Sequence, residues 1–228
     1  VPAWRTDILH EVDLIEDVAI AYGYEKIIPK MPEISTIANE TKQSKIKSKI
    51  AQILVGLGLI EISSYHLIKQ QEVETEKLQN PIEVENSKTE YKVLRPNLLI
   101  PSLRILSENK DNDYPQEIFE IGTVFEKDKK TETGIREKTN LVIASSPSNF
   151  TKIKQILNYL TDSLGVNYEL KEVTHQNLIE GRTGRLMLNK KEIGVVGAVH
   201  PETLRDWNIK MPVSILEISL DEIFDLLK

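Results

Sequence analysis

Apolar residues recur along this chain at two spacings, one helical and one extended. Val12, Ile15, Val18, Ala19 and Tyr22 fall on one side of a helical wheel, and Gly23 supplies a stop. Ile46, Ile50, Ile53, Leu54 and Leu57 repeat that spacing, with Gly56 and Gly58 at its end. Ile153, Ile156, Leu157 and Leu160 predict a third amphipathic helix over Phe150–Leu164, stopped by Gly165. A polar stretch around Gln71–Leu78 is expected to be helical and is followed by a turn at Asn80-Pro81. Leu59–Ile68 reads as one β-rich run, Pro115–Asp128 as the clearest strand, and Asn140-Leu141-Val142-Ile143-Ala144-Ser145 as its antiparallel neighbour. Tyr91–Leu106 predicts a short strand and a helix opened by Pro101. Gly184–Pro201 predicts a hairpin turning at Lys190-Lys191, after which Pro201 opens a short helix; a last strand and a helical end follow.

Composition narrows the classes. The 228 residues are 40% hydrophobic and 28% charged, an ordinary water-exposed globular balance, and no apolar run approaches the ~20 residues of a membrane helix. There is no cysteine, which excludes disulfides, thiolate metal sites and a cysteine nucleophile and fits a cytoplasmic location. A net charge of -6 argues against a general nucleic-acid binder. The chain starts at Val1 and is read as a piece of a longer polypeptide. Its expected parts are residues 1–28, with the acidic helix; residues 29–41, a proline-bearing linker; and residues 42–228, the core domain.

Candidate chemistry concentrates on the first helix. Opposite its apolar stripe, Asp13, Glu16 and Asp17 stand at i, i+3 and i+4, within an arc of roughly 100°. Like charges so spaced cost an isolated helix a few tenths of a kcal/mol per pair, and no lysine or arginine three or four residues away relieves them. A cation from outside would. With Asp7, just ahead of the helix, these residues offer four hard oxygen ligands suited to magnesium. Acidic residues are also favoured in a first helical turn and on solvated faces, so spacing alone leaves both readings open.

Motifs elsewhere are weaker. Arg95 and Arg104 are candidates for an acidic ligand, although arginines in such settings more often pair within the structure. Gly181-Arg182-Thr183-Gly184-Arg185 could cradle an anion or simply serve a turn. Lysines 42, 45, 47 and 49 crowd a helix N-terminus, which points either to an acidic neighbour or to a solvated face. His200 has no identifiable nucleophile or base beside it and reads as structural.

A family resemblance rests on specific residues. Arg5-Thr6-Asp7-Ile8, Asp13-Leu14-Ile15-Glu16-Asp17 and Ala21-Tyr22-Gly23-Tyr24 resemble the junction ahead of the synthetase-like core in phenylalanine–tRNA ligase beta subunits. Phe119–Phe125 is similar to the strand of their second class II motif, and Gly194, Gly197, Val199, His200 and Pro201 match their G-x-x-G-x-x-H-P element. Leu94-Arg95, Leu98-Leu99 and Pro101-Ser102-Leu103 are remnants of another shared pattern. The resemblance implies a class II aminoacyl-tRNA synthetase-like α+β fold, an antiparallel sheet flanked by helices. It also implies that Asp7, Asp13, Glu16 and Asp17 hold Mg2+ near the contact with an alpha subunit. Asp17 stands where glutamate is also common. A chain ending here is similar to archaeal and eukaryotic-type beta subunits.

Adenylate formation needs cations aimed at a phosphate. The chain has seven arginines, but none from Pro115 to Phe125, and no glycine-rich, arginine-bearing helix start resembles the third class II motif. Its closing helix begins Asp221-Glu222, which would repel ATP. No P-loop, GxSxG or HExxH pattern offers other chemistry. The expectation is a non-catalytic core that scaffolds the catalytic alpha subunit in a heterotetramer of two alpha and two beta chains, which attaches phenylalanine to tRNA(Phe) with ATP. Alternatives are a free-standing synthetase-like regulatory or amino-acid-binding protein, and a divergent active enzyme.

Overall fold

The run from Gln116 to Ser146 sets the frame of the molecule. In the computed structural model, which describes residues 1–34 and 38–227, it forms a long antiparallel pair, β5 (Gln116–Lys127) and β6 (Ile135–Ser146). The pair stays in register from Gln116 opposite Ser146 to Lys127 opposite Ile135. Alternate residues therefore face opposite sides. The chain forms two compact units, Val1–Asn39 and Glu40–Lys228. Part of the expected linker, residues 35–37, lies outside the described residues.

The first unit contains α1 (Glu11–Tyr22) and a single 3-10 turn, Tyr24–Lys26. Gly23, at φ 97, ends α1 where a side chain would be strained. Within the described residues of this unit, the apolar stripe meets nothing: Val12, Ile15 and Val18 are 64, 63 and 67% exposed.

The second unit is built on a seven-stranded sheet in the order β1-β5-β6-β10-β9-β8-β7. Its further strands are β1 (Ile60–Glu61), β7 (Glu169–Glu172), β8 (Leu178–Leu188), β9 (Lys191–Val199) and β10 (Ser214–Ser219). All neighbours are antiparallel except β1, which lies parallel to β5. One face packs Phe119, Leu141, Ile143, Leu216 and Val196 against α2 (Lys42–Gly56), α5 (Phe150–Leu164) and α7 (Asp221–Leu226). The other packs Ile118, Val142, Ala144 and Ile215 against α4 (Leu99–Glu108). This face also bears the polar groups described below. α6 (Pro201–Asp206) follows β9, with Pro201 at its first position. A small sheet, β2-β4-β3 (Leu67–Lys69, Tyr91–Leu94 and Ile82–Glu83), packs with α3 (Gln70–Thr75) around Ile68, Val73, Val93 and Ile100.

Three expectations need correction. Leu59–Ile68 is not one strand, because its two ends belong to different sheets: between them the Ser64 amide and hydroxyl turn aside to donate to Glu120, at 3.3 and 2.6 Å. α4 opens at Leu99, two residues before Pro101, because the Glu217 carboxylate accepts the Leu98 and Leu99 amides at 2.9 and 3.0 Å. The β8–β9 hairpin turns at Asn189-Lys190, whose φ values of 50 and 66 are those of a turn matched to strand twist.

Gly56, the last residue of α2, has open space where a Cβ would stand. Gly56→Ala is therefore expected to stabilise the unit by about 0.5–1 kcal/mol, through lower backbone entropy in the unfolded chain. Thermal denaturation checks it, and a loss of stability would contradict the open space.

Candidate functional site

β5 has no arginine of its own and receives one from elsewhere. Arg95 follows β4, and its guanidinium crosses β5 at Gly122, where an added Cβ would stand 2.4 Å from Nη2. Nε donates to the Thr123 carbonyl at 2.7 Å, and Nη1 donates to Glu120 Oε1 and to Ser64 Oγ, both at 2.7 Å. The pair is almost fully buried, with side chains 1% and 4% exposed. Fixed by Nε and Nη1 and closed off from solvent, the guanidinium is not presented to a phosphate outside. Arg104 is likewise committed: Nη1 donates to both Glu72 oxygens, at 2.9 and 3.0 Å. Both arginines pair within the structure, the commoner of the two outcomes expected for them.

Beside Arg95, on the same face, Glu217 of β10 accepts from the amides at the start of α4 and from Asn140 Nδ2 at 2.7 Å. Burial pushes its carboxyl up; the Leu98 amide, Asn140 and the Leu99 amide oppose that rise, with the Arg95 charge. Glu217 and Asn140 border a cavity of about 360 Å3 whose walls include Leu99, Val124, Leu178, Val195 and Ile215. The charged residues around it are Glu126, Glu192 and Glu217 against one lysine, Lys138, which itself donates to Glu126 at 2.6 Å. No arginine among the described residues lines it, but Arg185 stands 3.2 Å from Glu192. His175, also in the lining, is held below the usual imidazole range by burial. No local motif announces this cavity, whose residues come from positions 96 to 219.

A second buried carboxyl ties the small sheet's side to α6. Glu76 accepts from Trp207 Nε1 at 2.6 Å and from Asn177 Nδ2, and burial raises its pKa against those two bonds. His200 caps α6, its Nδ1 accepting the Glu202 amide at 3.2 Å, which is a structural role. Gly181–Arg185 lies within β8 at an irregularity in its pairing with β9, with Gly181 at φ 73; it is a bend in a strand.

Glu76 and Glu217 both bind a proton more readily folded than unfolded. Their contribution to stability is therefore complete below the ordinary carboxyl value of 4.5 and declines as pH rises through the raised folded values. Glu76→Gln is expected to gain stability relative to the unsubstituted chain on going from pH 4.5 to 7. Urea denaturation at the two pH values tests this; a constant difference would deny the raised pKa.

In the first unit, Asp7, Asp13, Glu16 and Asp17 are carboxylates only, the donor type of a hard divalent cation. Arg5 engages two of them, its Nη2 donating to Asp7 at 2.6 Å and to Asp17 at 3.0 Å. The relieving cation missing from α1 is thus supplied in part by a residue twelve positions before Asp17. Those bonds hold Arg5 above and Asp7 below their ordinary values, the Arg5–Asp7 bond contributing most to each. Asp13 Oδ2 accepts the Leu9 and His10 amides at 2.8 and 2.7 Å, closing the start of the helix. Glu16 has no hydrogen bond or ion pair among the described residues. There, no three acidic or histidine side chains converge as a metal site. The donor chemistry fits a divalent cation, and two of the carboxylates already share one positive group.

Comparison with known proteins agrees with this architecture. A family model of the phenylalanyl tRNA synthetase beta chain CLM domain matches residues 27–220, and one of the tRNA synthetase B5 domain matches residues 1–24. The phenylalanine–tRNA ligase beta subunit of Pyrococcus abyssi is 37% identical over 230 residues, covering 98% of this chain and 41% of that protein. That of Archaeoglobus fulgidus is 35% identical over 233 residues, covering 99% and 42%. The chain thus spans about two-fifths of the length of these relatives. A pyrrolysyl-tRNA synthetase of Desulfitobacterium hafniense has the same fold, with a TM-score of 0.68 at 19% identity over 81% of this chain and 66% of that one. Its two-sided mixed sheet is that of a class II synthetase, and the family model covers most of its residues, so the chain belongs to the phenylalanyl-tRNA synthetase beta chain family.

Proposed function

We propose that this chain is the non-catalytic, synthetase-like core of a phenylalanine–tRNA ligase beta subunit, which scaffolds a catalytic alpha subunit while the assembly attaches phenylalanine to tRNA(Phe) with ATP. The observation that carries the non-catalytic reading is the sheet face. Where adenylate chemistry needs cations directed at a triphosphate, the cations on this face are committed to carboxylates: Lys138 to Glu126, Arg185 to Glu192 and Arg95 to Glu120.

The partner is an alpha subunit, in a heterotetramer of two alpha and two beta chains, and the location is cytoplasmic. No helix among the described residues is long and apolar enough to cross a membrane. The organisation behind this reading is a tail module over residues 1–28, a linker over 29–41 and the core over 42–228. Asp7, Asp13, Glu16 and Asp17 are its magnesium ligands, shared with the alpha subunit. Magnesium there would neutralise the acidic face and hold the contact. Its competitor on this chain is Arg5, which bonds two of the four carboxylates.

Co-expression with a phenylalanine–tRNA ligase alpha subunit tests the scaffold. Association that weakens about tenfold in Asp13→Asn/Glu16→Gln at millimolar magnesium supports both parts. Failure to associate at any magnesium concentration defeats the scaffold; association indifferent to the double variant returns the cluster to a solvated acidic face. Amino-acid-dependent ATP–pyrophosphate exchange by this chain alone would defeat the non-catalytic reading.

A further inference from the structure

We propose that the cavity on the sheet face binds a small, uncharged, largely apolar molecule. Its volume, about 360 Å3, is within the range of small-ligand pockets. Its apolar walls come from separate parts of the fold: Leu99 at the start of α4, Val124 and Phe125 of β5, Val195 of β9, Ile215 of β10, and Val173 in the connection between β7 and β8. Phe125, Val173 and Val195 are only half-buried, so part of their surface is still open to a ligand. An apolar body placed against such walls is removed from water on that side, which is favourable whatever its chemical detail.

The charged groups around the cavity decide against an ion of either sign. Lys138 donates to Glu126 at 2.6 Å, and Arg185, which is not part of the lining, stands 3.2 Å from Glu192. Glu217 is nine-tenths buried and already accepts from the Leu98 and Leu99 amides and from Asn140, while burial pushes its carboxyl up towards the neutral form. Burial biases His175 to its neutral form as well, and its Nδ1 accepts the Asn177 amide at 3.3 Å. An anion entering the cavity therefore meets no uncommitted cation in the lining, and a cation meets no carboxylate that is both exposed and unpaired. Either would lose hydration without a counter-charge to replace it. An uncharged molecule loses far less and gains the same apolar contact. Binding of this kind is independent of the scaffold role and would survive its failure.

Three probes of similar shape test the charge rule on methyl-labelled full-length protein at neutral pH: 2-phenylethanol, 2-phenylethylamine and 3-phenylpropionate, each titrated separately and followed by NMR. The alcohol is expected to give saturable shifts of the Leu99, Val124, Val173, Val195 and Ile215 methyl signals, with an affinity about tenfold or more above that of either ion. The cavity-filling Val195→Phe should weaken the alcohol by about tenfold, while the Leu141 and Leu216 methyl signals on the opposite face of the sheet keep their positions and report an intact fold. An ion that binds as well as the alcohol, shifts confined to other methyl groups, or no saturation by the alcohol in the unsubstituted protein would overturn the proposal. The three-probe comparison needs no variant to fold, and unchanged alcohol affinity in a folded Val195→Phe would overturn it as well.

Discussion

Arg95→Met is expected to lower the stability of the second unit by about 3–5 kcal/mol, the usual cost of leaving one partner of a buried ion pair alone. The substitution removes the bonds to Thr123, Ser64 and Glu120 together and strands a Glu120 carboxylate that is 3% exposed. Ser64 Oγ, which donates to Glu120 Oε2 at 2.6 Å, cannot replace the charge. The double variant Arg95→Met/Glu120→Leu should recover most of the loss, because apolar replacement of a whole buried pair is often nearly neutral. Urea denaturation of the two single variants and the double variant gives the coupling directly. A single-variant loss below about 1 kcal/mol would show that Glu120 is not held as a buried anion, and Arg95 would again be available to a ligand. The stability measurement therefore bears on function: the same pair that anchors β4 to β5 withholds an arginine that crosses β5 at Gly122.

How much of this was legible in the sequence depends on the range of the forces involved. The helix over Phe150–Leu164 and its stop at Gly165 were readable, because 3.6-residue periodicity and a left-handed C-cap are local properties. β5 was readable from its β-branched and aromatic residues, and so was the Asn140–Ser145 part of β6; its polar start from Ile135 to Thr139 was not. The edge strands β3 and β7 were not, since Ile82-Glu83 and Glu169-Leu170-Lys171-Glu172 carry too little apolar pattern to mark a strand. Where long-range polar contacts decide, local reading fails. Ser64 is diverted by a carboxylate 56 residues away, and the start of α4 is set by one 118 and 119 residues away. The acidic helix shows both sides of this. Its charges at i, i+3 and i+4 were evident, but that Arg5 would answer Asp7 and Asp17 depends on a fold of the chain ahead of the helix, which spacing does not encode.

Gly194→Ala is expected to cost about 3 kcal/mol and to lower the melting temperature by about 6–12 °C. The reason is what the new methyl group would meet. A Cβ at Gly194 would stand 2.1 Å from the Glu217 carbonyl oxygen and 2.7 Å from Ile218 Cα. Both atoms belong to the backbone of β10, which is held on its other side by β6 and cannot move away without breaking that ladder. Gly184→Ala in β8 is the informative contrast, since its Cβ would meet only the Leu170 side chain, at 2.6 Å to Cδ1 and 2.7 Å to Cγ. A side chain on the edge strand β7 can rotate, so that variant should cost about 1 kcal/mol. Because Gly194 pairs with the residue after Glu217, forcing the strands apart would also disturb the carboxylate that closes α4. Amide exchange at Leu98 and Leu99 should then accelerate along with that at Val195 and Val196, although the first two are far from the substitution in sequence. Faster exchange in β9 alone would mean that β10 holds its place and that the glycine serves only its own strand. Faster exchange at both would show that the glycine of the G-x-x-G-x-x-H-P element keeps the two strands close enough for Glu217 to reach the helix.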